Sequence, residues 1–503
     1  MATTSLQLLP NNLYLAEQVR EIDQAIMATE PVSAFDLMLR AAQAAFGLLV
    51  EYWPQAKHIC VLAGSGNNGG DAWLVAALAK KHGLEVQLYD LAKEGLRTSE
   101  GQQAQAYAVE AGVQAQPFMG ALEAHTDLIV DGLLGIGLQG EVNAHYQAAI
   151  HSINSHPASV FSLDIPSGLH ADTGAVLGAA VQADITLTFV ALKQGLFTAH
   201  GPDMTGQIFY APLTNANVKE LAVASAQRIY YQHLSQQELL PSRAKNSHKG
   251  MFGHVLVAGG ESGYGGAVIL AAEAAARTGA GLVSCATHPE HLTPLLSRCP
   301  NIMAKAVGSG LELQPLIEQA SVLAIGPGLG QQGWAELFMQ QALLTNKPIV
   351  LDADALNLLA KPQWQTQFEG RLAVLTPHPG EAARLLGVSI EEIQADRFSA
   401  ASSLANQYSA TVVLKGQGSI VANPNGRVAV CTEGNSGMSS GGMGDVLTGV
   451  IAALMAQGLS AWDASCLGVC LHAKAADECA QHQGAVGMLA QDLMTYLQKL
   501  INV

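Results

Sequence analysis

The chain has 503 residues, 49% of them apolar, and 25 Lys and Arg against 41 Asp and Glu, a formal charge of −16. Met1 to Leu234 carries 10 basic and 21 acidic residues and the remainder 15 and 20, so neither half offers the basic face that nucleic acids or anionic membranes require. Phosphate-bearing small ligands stay open, because backbone N–H groups hold phosphate without net positive charge.

At about 150 residues per domain, the length allows two to four domains. Apolar residues at three- and four-residue spacing predict helices over Leu13–Met27 and Ser33–Val50, with Ser33 as an N-cap. Strands and helices then alternate. His58–Gly64, Glu85–Leu91, Asp127–Leu134, Val160–Ile165 and Asp184–Ala191 read as short apolar strands, and Asp71–His82 as a helix. Such alternation predicts parallel βαβ units under helical cover. The pattern lapses between Thr214 and Gly250, which places the domain boundary near residues 225 to 240. The expected domains are 1–225 and 226–503. Alternation restarts with His254–Gly260, Gly281–Thr287, Ser321–Gly326, Pro348–Asp352, Leu372–Thr376 and Ala410–Lys415. A hairpin over Gly418–Cys431 is expected to turn at Pro424-Asn-Gly. Helices follow over Gly442–Gln457 and Trp462–Gln481.

No stretch has the roughly 18 uninterrupted apolar residues of a membrane span. The N-terminal MATTSLQLLPNN lacks the basic region and apolar core of a secretory signal. The seven cysteines are odd in number and sit in apolar runs, which reads as reduced, buried thiols and a cytoplasmic location. Cys466 and Cys470 lie one helical turn apart, but no second ligand pair completes a zinc site. Charged residues are only 13%, against about 25% in typical chains. A large share of the surface is therefore expected to be Ala, Gln and small polar residues, or to be buried between subunits of a homo-oligomer.

The first chemistry-bearing segment is Gly64-Ser-Gly-Asn-Asn-Gly-Gly-Asp71, between a strand and a helix. It satisfies the G-x-G-x-x-G pattern of dinucleotide-binding turns, with Asp90 near the end of the next strand. A tight strand-to-helix turn would read the same. The adjacent amides of Asn67 and Asn68 and the carboxylate of Asp71 add hydrogen-bonding groups and cation ligands. Two further strand ends carry Asp131, before a glycine loop that runs to Glu141, and Asp164 with Ser167 in Asp-Ile-Pro-Ser-Gly168. Ligands bind beyond the carboxyl ends of strands in open parallel sheets. Taken singly, Asp131 and Asp164 are as well explained by a turn or cap role.

Over residues 10 to 215 these segments together resemble the NAD(P)H-hydrate epimerases. The resemblance implies a Rossmann-like α/β/α domain. It implies that Asn67, Asn68, Gly69, Gly70 and Asp71, with Gly135, Ile136, Gly137, Leu138, Gln139, Gly140 and Glu141, bind the hydrated nucleotide. It implies that Asn68, Asp131 and Ser167 ligate K+, and that Asp164 contacts the substrate and is the acid/base candidate. Ala72 stands where the family usually continues with glycine, a change of little consequence unless the helix packs closely against the loop.

In the second half, Asn435-Ser-Gly-Met-Ser-Ser-Gly-Gly-Met-Gly-Asp445 precedes an apolar helix. Consecutive glycines at a helix N-terminus aim N–H donors at an anion. A carboxylate just after them can take a proton from a hydroxyl. An anion hole beside a base suits phosphoryl transfer to an alcohol. Gly259–Ala267, Gly326-Pro-Gly-Leu-Gly330, Thr376-Pro-His-Pro-Gly-Glu381 and Lys415-Gly-Gln-Gly-Ser419 end four other strands. His378 stands between two prolines, where a turn role is also open.

Residues 240 to 500 resemble the ADP-dependent NAD(P)H-hydrate dehydratases, a branch of the ribokinase-like fold. The resemblance implies that Ala267, Gly328, His378 and Asp445 contact the hydrated nucleotide. It implies that Lys415, Gly416, Gln417, Gly418, Ser419 and Gly444 hold ADP, and that Mg2+ takes part. Ser439 replaces an alanine common in that loop. The fold class expected is two tandem three-layer α/β/α domains. The implied function is epimerisation of R and S NADHX and NADPHX, then ADP-dependent dehydration of the S form to NAD(P)H, AMP and phosphate. Three other readings stand beside it. One is an ATP-dependent small-molecule kinase fused to a nucleotide-binding module. Another is a non-enzymatic nucleotide sensor, and the third is an NAD-dependent dehydrogenase resting on the glycine pattern and Asp90.

Overall fold

The structure, a computed structural model, describes residues 9–92 and 97–502. It divides into two compact units, Met1–Gln227 and Arg228–Val503.

In the first unit seven strands lie side by side in the order Ala115–Gln116, Glu85–Asp90, His58–Ala63, Leu128–Gly132, Ser159–Leu163, Ile185–Phe189 and Gln207–Ala211. Every pairing is parallel. Strand side chains alternate between two faces, and both faces here are covered. Ile59, Val61 and Ala63 join a core with Ile22, Leu48 and Trp73. Cys60 and Leu62 join a second core with Ile150 and Ile153. Two apolar faces explain why the central strands read as continuous apolar runs.

The second unit orders its strands Met303–Ala306, Leu282–Thr287, His254–Ala258, Val322–Ile325, Ile349–Leu351, Ala373–Leu375, Thr411–Leu414, Ile420–Ala422 and Val428–Cys431. The first seven are parallel, and the expected hairpin supplies the antiparallel pair at the end. Val255 and Val257 pack with residues of helices Gly265–Arg277, Met443–Ala456, Ala461–Gln483 and Leu493–Leu500. Leu256 turns to the opposite face and is equally buried. Both units are three-layered, as the alternating pattern implies.

The departures are local. Ser33 caps helix Ala34–Tyr52 through a capping box with Asp36, but the preceding helix starts at Ala16, not Leu13. Asn12–Tyr14 is instead a short strand, with Leu13 paired to Ala226 and Leu192. Ala115–Gln116 and Met303–Ala306 escape a periodicity reading because they are edge strands, largely exposed and without an apolar run. The helix expected from Asp71 begins four residues earlier, at Asn67. Among the described residues no single helix is long and apolar enough to cross a membrane.

Candidate active sites

The earlier helix start explains two of the N-terminal glycines. A Cβ on Gly69 would lie 2.0 Å from the Gly64 carbonyl oxygen, and one on Gly64 would lie 1.7 Å from that of Leu133. Both are required by close backbone approach, which brings the helix N-terminus against the loop after Leu128–Gly132. We expect Gly64→Ala to destabilise the first unit by about 1–3 kcal/mol or more through overpacking, read as a lower unfolding midpoint for that unit. The same packing decides the Ala72 question. A Cβ at Gly132 would meet the Ala72 methyl at 2.5 Å, so the helix does pack closely and Ala72 fills that contact.

A cleft of about 780 Å3 opens beyond these strand ends. Asn67, Asn68, Asp71, Gly135, Ile136, Gly137, Leu138, Gln139 and Asp164 line it. Gly69 and Gly70 lie inside the helix, and Gly140 and Glu141 lie outside the lining. Asp164 has φ 62°, a left-handed backbone rare for a non-glycine residue. Its Oδ1 accepts from the Phe189 N–H at 3.1 Å and from the ammonium of Lys193. Lys193 is fully buried. Its other two donors reach Thr188 Oγ1 at 3.1 Å and the Phe189 carbonyl at 2.9 Å. Asp71 is buried, and burial together with the Asp164 and Asp23 charges holds its carboxyl well above the usual range.

Asp131 is wholly buried and organises the loops beneath the cleft. It accepts from Ser162 Oγ (2.8 Å), the Ser167 N–H (2.9 Å), Ser167 Oγ (2.5 Å) and the Leu133 N–H (3.2 Å). Burial raises its pKa, and these bonds pull it back. Asn68 Nδ2 donates to the Leu134 carbonyl at 2.8 Å, while Asn68 Oδ1 is buried with no hydrogen-bond partner. A buried acceptor without a donor beside carboxylate, hydroxyl and carbonyl oxygens is a donor set for a monovalent cation. Asp90 takes no part: it pairs with Arg97 and does not line the cleft.

In the second unit Asp445 falls on the first turn of helix Met443–Ala456, whose N-cap is Gly442 at φ 93°. Lys415 Nζ donates to Asp352 Oδ1 at 2.7 Å and lies 3.9 Å from Glu381 Oε2. Thr448 Oγ1 donates to the other Asp352 oxygen at 2.8 Å. A Cβ on Gly444 would stand 3.2 Å from Lys415 Nζ, so glycine lets the helix end approach the ammonium. Burial lowers the Lys415 pKa, but Asp352 and Glu381 outweigh it and leave the group above its ordinary value. Burial pushes Asp445 up to about 7, helped by Asp352 and opposed by Lys415. Glu381 is also pushed up to about 7, chiefly by burial. Three carboxylates surround one ammonium, an excess of negative charge suited to a divalent cation.

His378 caps helix Pro379–Leu386. Its Nδ1 accepts from the Gly380 N–H at 3.0 Å, so the ring proton sits on Nε2, 3.3 Å from Glu381 Oε1. Burial, then Lys415, lowers its pKa. A Cβ at Gly328 would lie 3.3 Å from the Ala267 methyl, so these two residues adjoin. Buried Arg397 donates to the carbonyls of Leu414 and Lys415, both at 3.3 Å, and fixes the Lys415–Ser419 turn from behind. Asp477 holds the start of the glycine loop, accepting from the Gly434 N–H at 3.0 Å and Asn435 Nδ2 at 2.8 Å. Ser440 Oγ, on the same loop, is buried without a partner and is a donor for an incoming anion.

Residues 255–499 match the NAD(P)H-hydrate dehydratase family, and residues 34–195 match the YjeF-related protein N-terminus family. The bifunctional NAD(P)H-hydrate repair enzyme Nnr of Coxiella burnetii is 43% identical over 97% of this chain and 99% of its own length. Its Escherichia coli counterpart is 41% identical over 98% and 95%. The chain belongs to the bifunctional NAD(P)H-hydrate repair enzyme family. A ribokinase-like superfamily protein from Enterococcus faecalis matches 55% of this chain and 95% of its own, with 29% identity and a TM-score of 0.50. The kinase, sensor and dehydrogenase readings do not account for relatives alike over the whole length.

Within this repair-enzyme family member, the residues that sequence reasoning missed come from outside the motif segments, except Glu381, which closes Thr376-Pro-His-Pro-Gly-Glu381. Asp23 and Lys193 line the first cleft. Asp352, Glu381, Arg397 and Asp477 build the second site. Asp352 and Glu381 stood at the ends of predicted strands, and that position was the available signal. Cys470 pairs not with Cys466 but with Cys431, with sulfurs 3.7 Å apart. All seven cysteines are free and buried.

Proposed function

We propose that the first unit interconverts the R and S forms of hydrated NADH and NADPH. We propose that the second unit uses ADP to dehydrate the S form. The observation that carries this reading is Asp445, a half-buried carboxylate at a glycine-opened helix N-terminus beside the Lys415–Asp352 pair. Asp445 takes the proton of the C6 hydroxyl. The hydroxyl oxygen attacks the β-phosphorus of ADP, and the bond to the bridging oxygen breaks to release AMP. The C6–O bond then breaks with its electron pair going to phosphate, drawn out by the lone pair of the ring nitrogen. Loss of a C5 proton restores the double bond. Lys415 through Ser419 and Gly444 hold the adenine nucleotide, and Ala267, Gly328 and His378 hold the hydrated one. Asp352 and Glu381 would supply oxygens for Mg2+, which would neutralise phosphate charge.

In the first unit Asp164 moves the proton at the reacting centre, and Lys193 holds it in place. Asn68 Oδ1, Asp131 and Ser167 would supply oxygens for K+, which would tie the two loops together. Replacing K+ in the buffer by a bulky organic cation is expected to slow epimerisation at least about tenfold. ADP-dependent dehydration of the pure S form serves as the control. Seven buried thiols support a reducing, cytoplasmic location, and the low charge fraction supports a homo-oligomer. The test of the whole reading is incubation with mixed S and R hydrates. Recovery of nicotinamide absorbance that requires ADP supports it, and a stable phosphorylated product overturns it in favour of a kinase.

A further inference from the structure

The cleft of the first unit holds more carboxylates than its cations serve. Asp23, Asp71, Asp164 and Lys193 all line it. Lys193 has three N–H donors, and all three are engaged by Asp164, Thr188 and the Phe189 carbonyl. Arg20, the other cation on the cleft wall, reaches the Ile136 carbonyl at 3.4 Å. Asp164 therefore takes the ammonium, and no ion pair is formed by Asp23 or Asp71 among the described residues. A half-buried carboxyl without a cation holds its proton to higher pH than an exposed one. Asp71 is set inside the helix that follows the glycine loop. Asp23 stands on a different element, helix Ala16–Thr29, and is less deeply buried. Burial lifts it to about 6, with Lys193 lowering and Asp164 raising it.

Epimerisation at C6 needs an acid and a base together, whichever bond breaks. If the hydroxyl departs, the C6–O pair stays on oxygen, which takes a proton and leaves as water. The nitrogen lone pair stabilises C6, water returns on the other face, and a base takes its extra proton. If the ring opens instead, a base takes the hydroxyl proton, the C6–N1 bond breaks, and N1 takes a proton from an acid; closure returns both. The two proton transfers run in opposite directions, so two carboxyls facing one cleft can serve both at once. Pairs of carboxyls held in opposite protonation states by their surroundings mark acid and base.

We propose that Asp23 is the general acid of the epimerase cleft, working opposite Asp164 as the base. This rests on the epimerase reading above. The test uses the full chain, mixed S and R hydrates and no ADP, with equilibration followed by chromatography. Asp23→Asn is expected to slow interconversion roughly 10²–10⁴-fold, while dehydration of the pure S form with ADP stays at the parent rate. The fall in the parent's rate as pH rises past about 6 is expected to vanish in Asp23→Asn and to return in Asp23→Glu. Interconversion by Asp23→Asn within about threefold of the parent overturns the inference. So does a slow variant whose pH profile keeps the parent's shape, since that is positioning only. If Asp164→Asn is slow and Asp23→Asn is not, this inference alone fails. A parent chain that does not interconvert the two forms overturns the epimerase reading and this inference together.

Discussion

Asp445→Asn is expected to lower ADP-dependent dehydration of the S form by roughly 10²–10⁴-fold, the usual cost of losing a positioned proton acceptor, while R and S still interconvert. The amide fills the same space and leaves the Lys415–Asp352 pair intact, so the loss reports on proton transfer and not on folding. The pH dependence follows from the raised pKa. A base must be ionised, and Asp445 is ionised above about 7, so the parent's rate rises through that pH and falls below it. Stability runs the other way. A carboxyl whose folded pKa exceeds its unfolded value binds its proton more tightly in the native state. Its contribution is full below about 4 and is lost as pH rises through 7. Asp445→Asn is therefore expected to raise Tm at pH 8 and not at pH 4, by about 2–4 °C for each kcal/mol relieved. An unchanged rate in the asparagine variant, measured by recovery of nicotinamide absorbance, removes Asp445 from the chemistry.

The two sites were legible to different depths, and the reason is physical. Glycine loops at strand ends are contiguous in sequence because backbone approach to a ligand needs consecutive small residues, so Asn67–Asp71 and Gly441–Asp445 stand out. The charge partners of the site carboxylates are not contiguous with them. Lys193 lies 29 residues from Asp164 and Lys415 lies 63 from Asp352, and neither Lys193 nor Asp352 comes from a segment with a motif of its own. Asp23 is one acid among several on an amphipathic helix, and only its tertiary placement turns it towards the cleft. The same holds for the fold. Core strands announce themselves by apolar runs, while edge strands such as Met303–Ala306 do not.

Asp164→Asn is expected to split the full reaction at its first step. With ADP and a mixture of S and R hydrates, the parent chain converts all of the substrate, because epimerisation keeps refilling the S pool. The variant is expected to convert the S fraction at the parent's rate and then stall, with the R fraction reacting roughly 10²–10⁴-fold more slowly. Asparagine is the informative choice. Asp164 sits at φ 62°, a conformation asparagine accepts and alanine accepts poorly. An amide can still take the hydrogen bonds from Phe189 and Lys193 through its carbonyl oxygen. What it cannot do is exchange a proton with the C6 centre or pair with the Lys193 charge. The amplitude of the fast phase therefore reads the S fraction directly, and it should equal the S content measured before ADP is added. Full-amplitude conversion by Asp164→Asn in a single phase would falsify the assignment of Asp164. A loss in the fast phase itself would point instead to damage in the dehydratase unit, since Asp164 and Asp445 belong to different units. Asp445→Asn gives the reciprocal pattern, interconversion without recovery of NAD(P)H, so the two variants together assign one step to each unit.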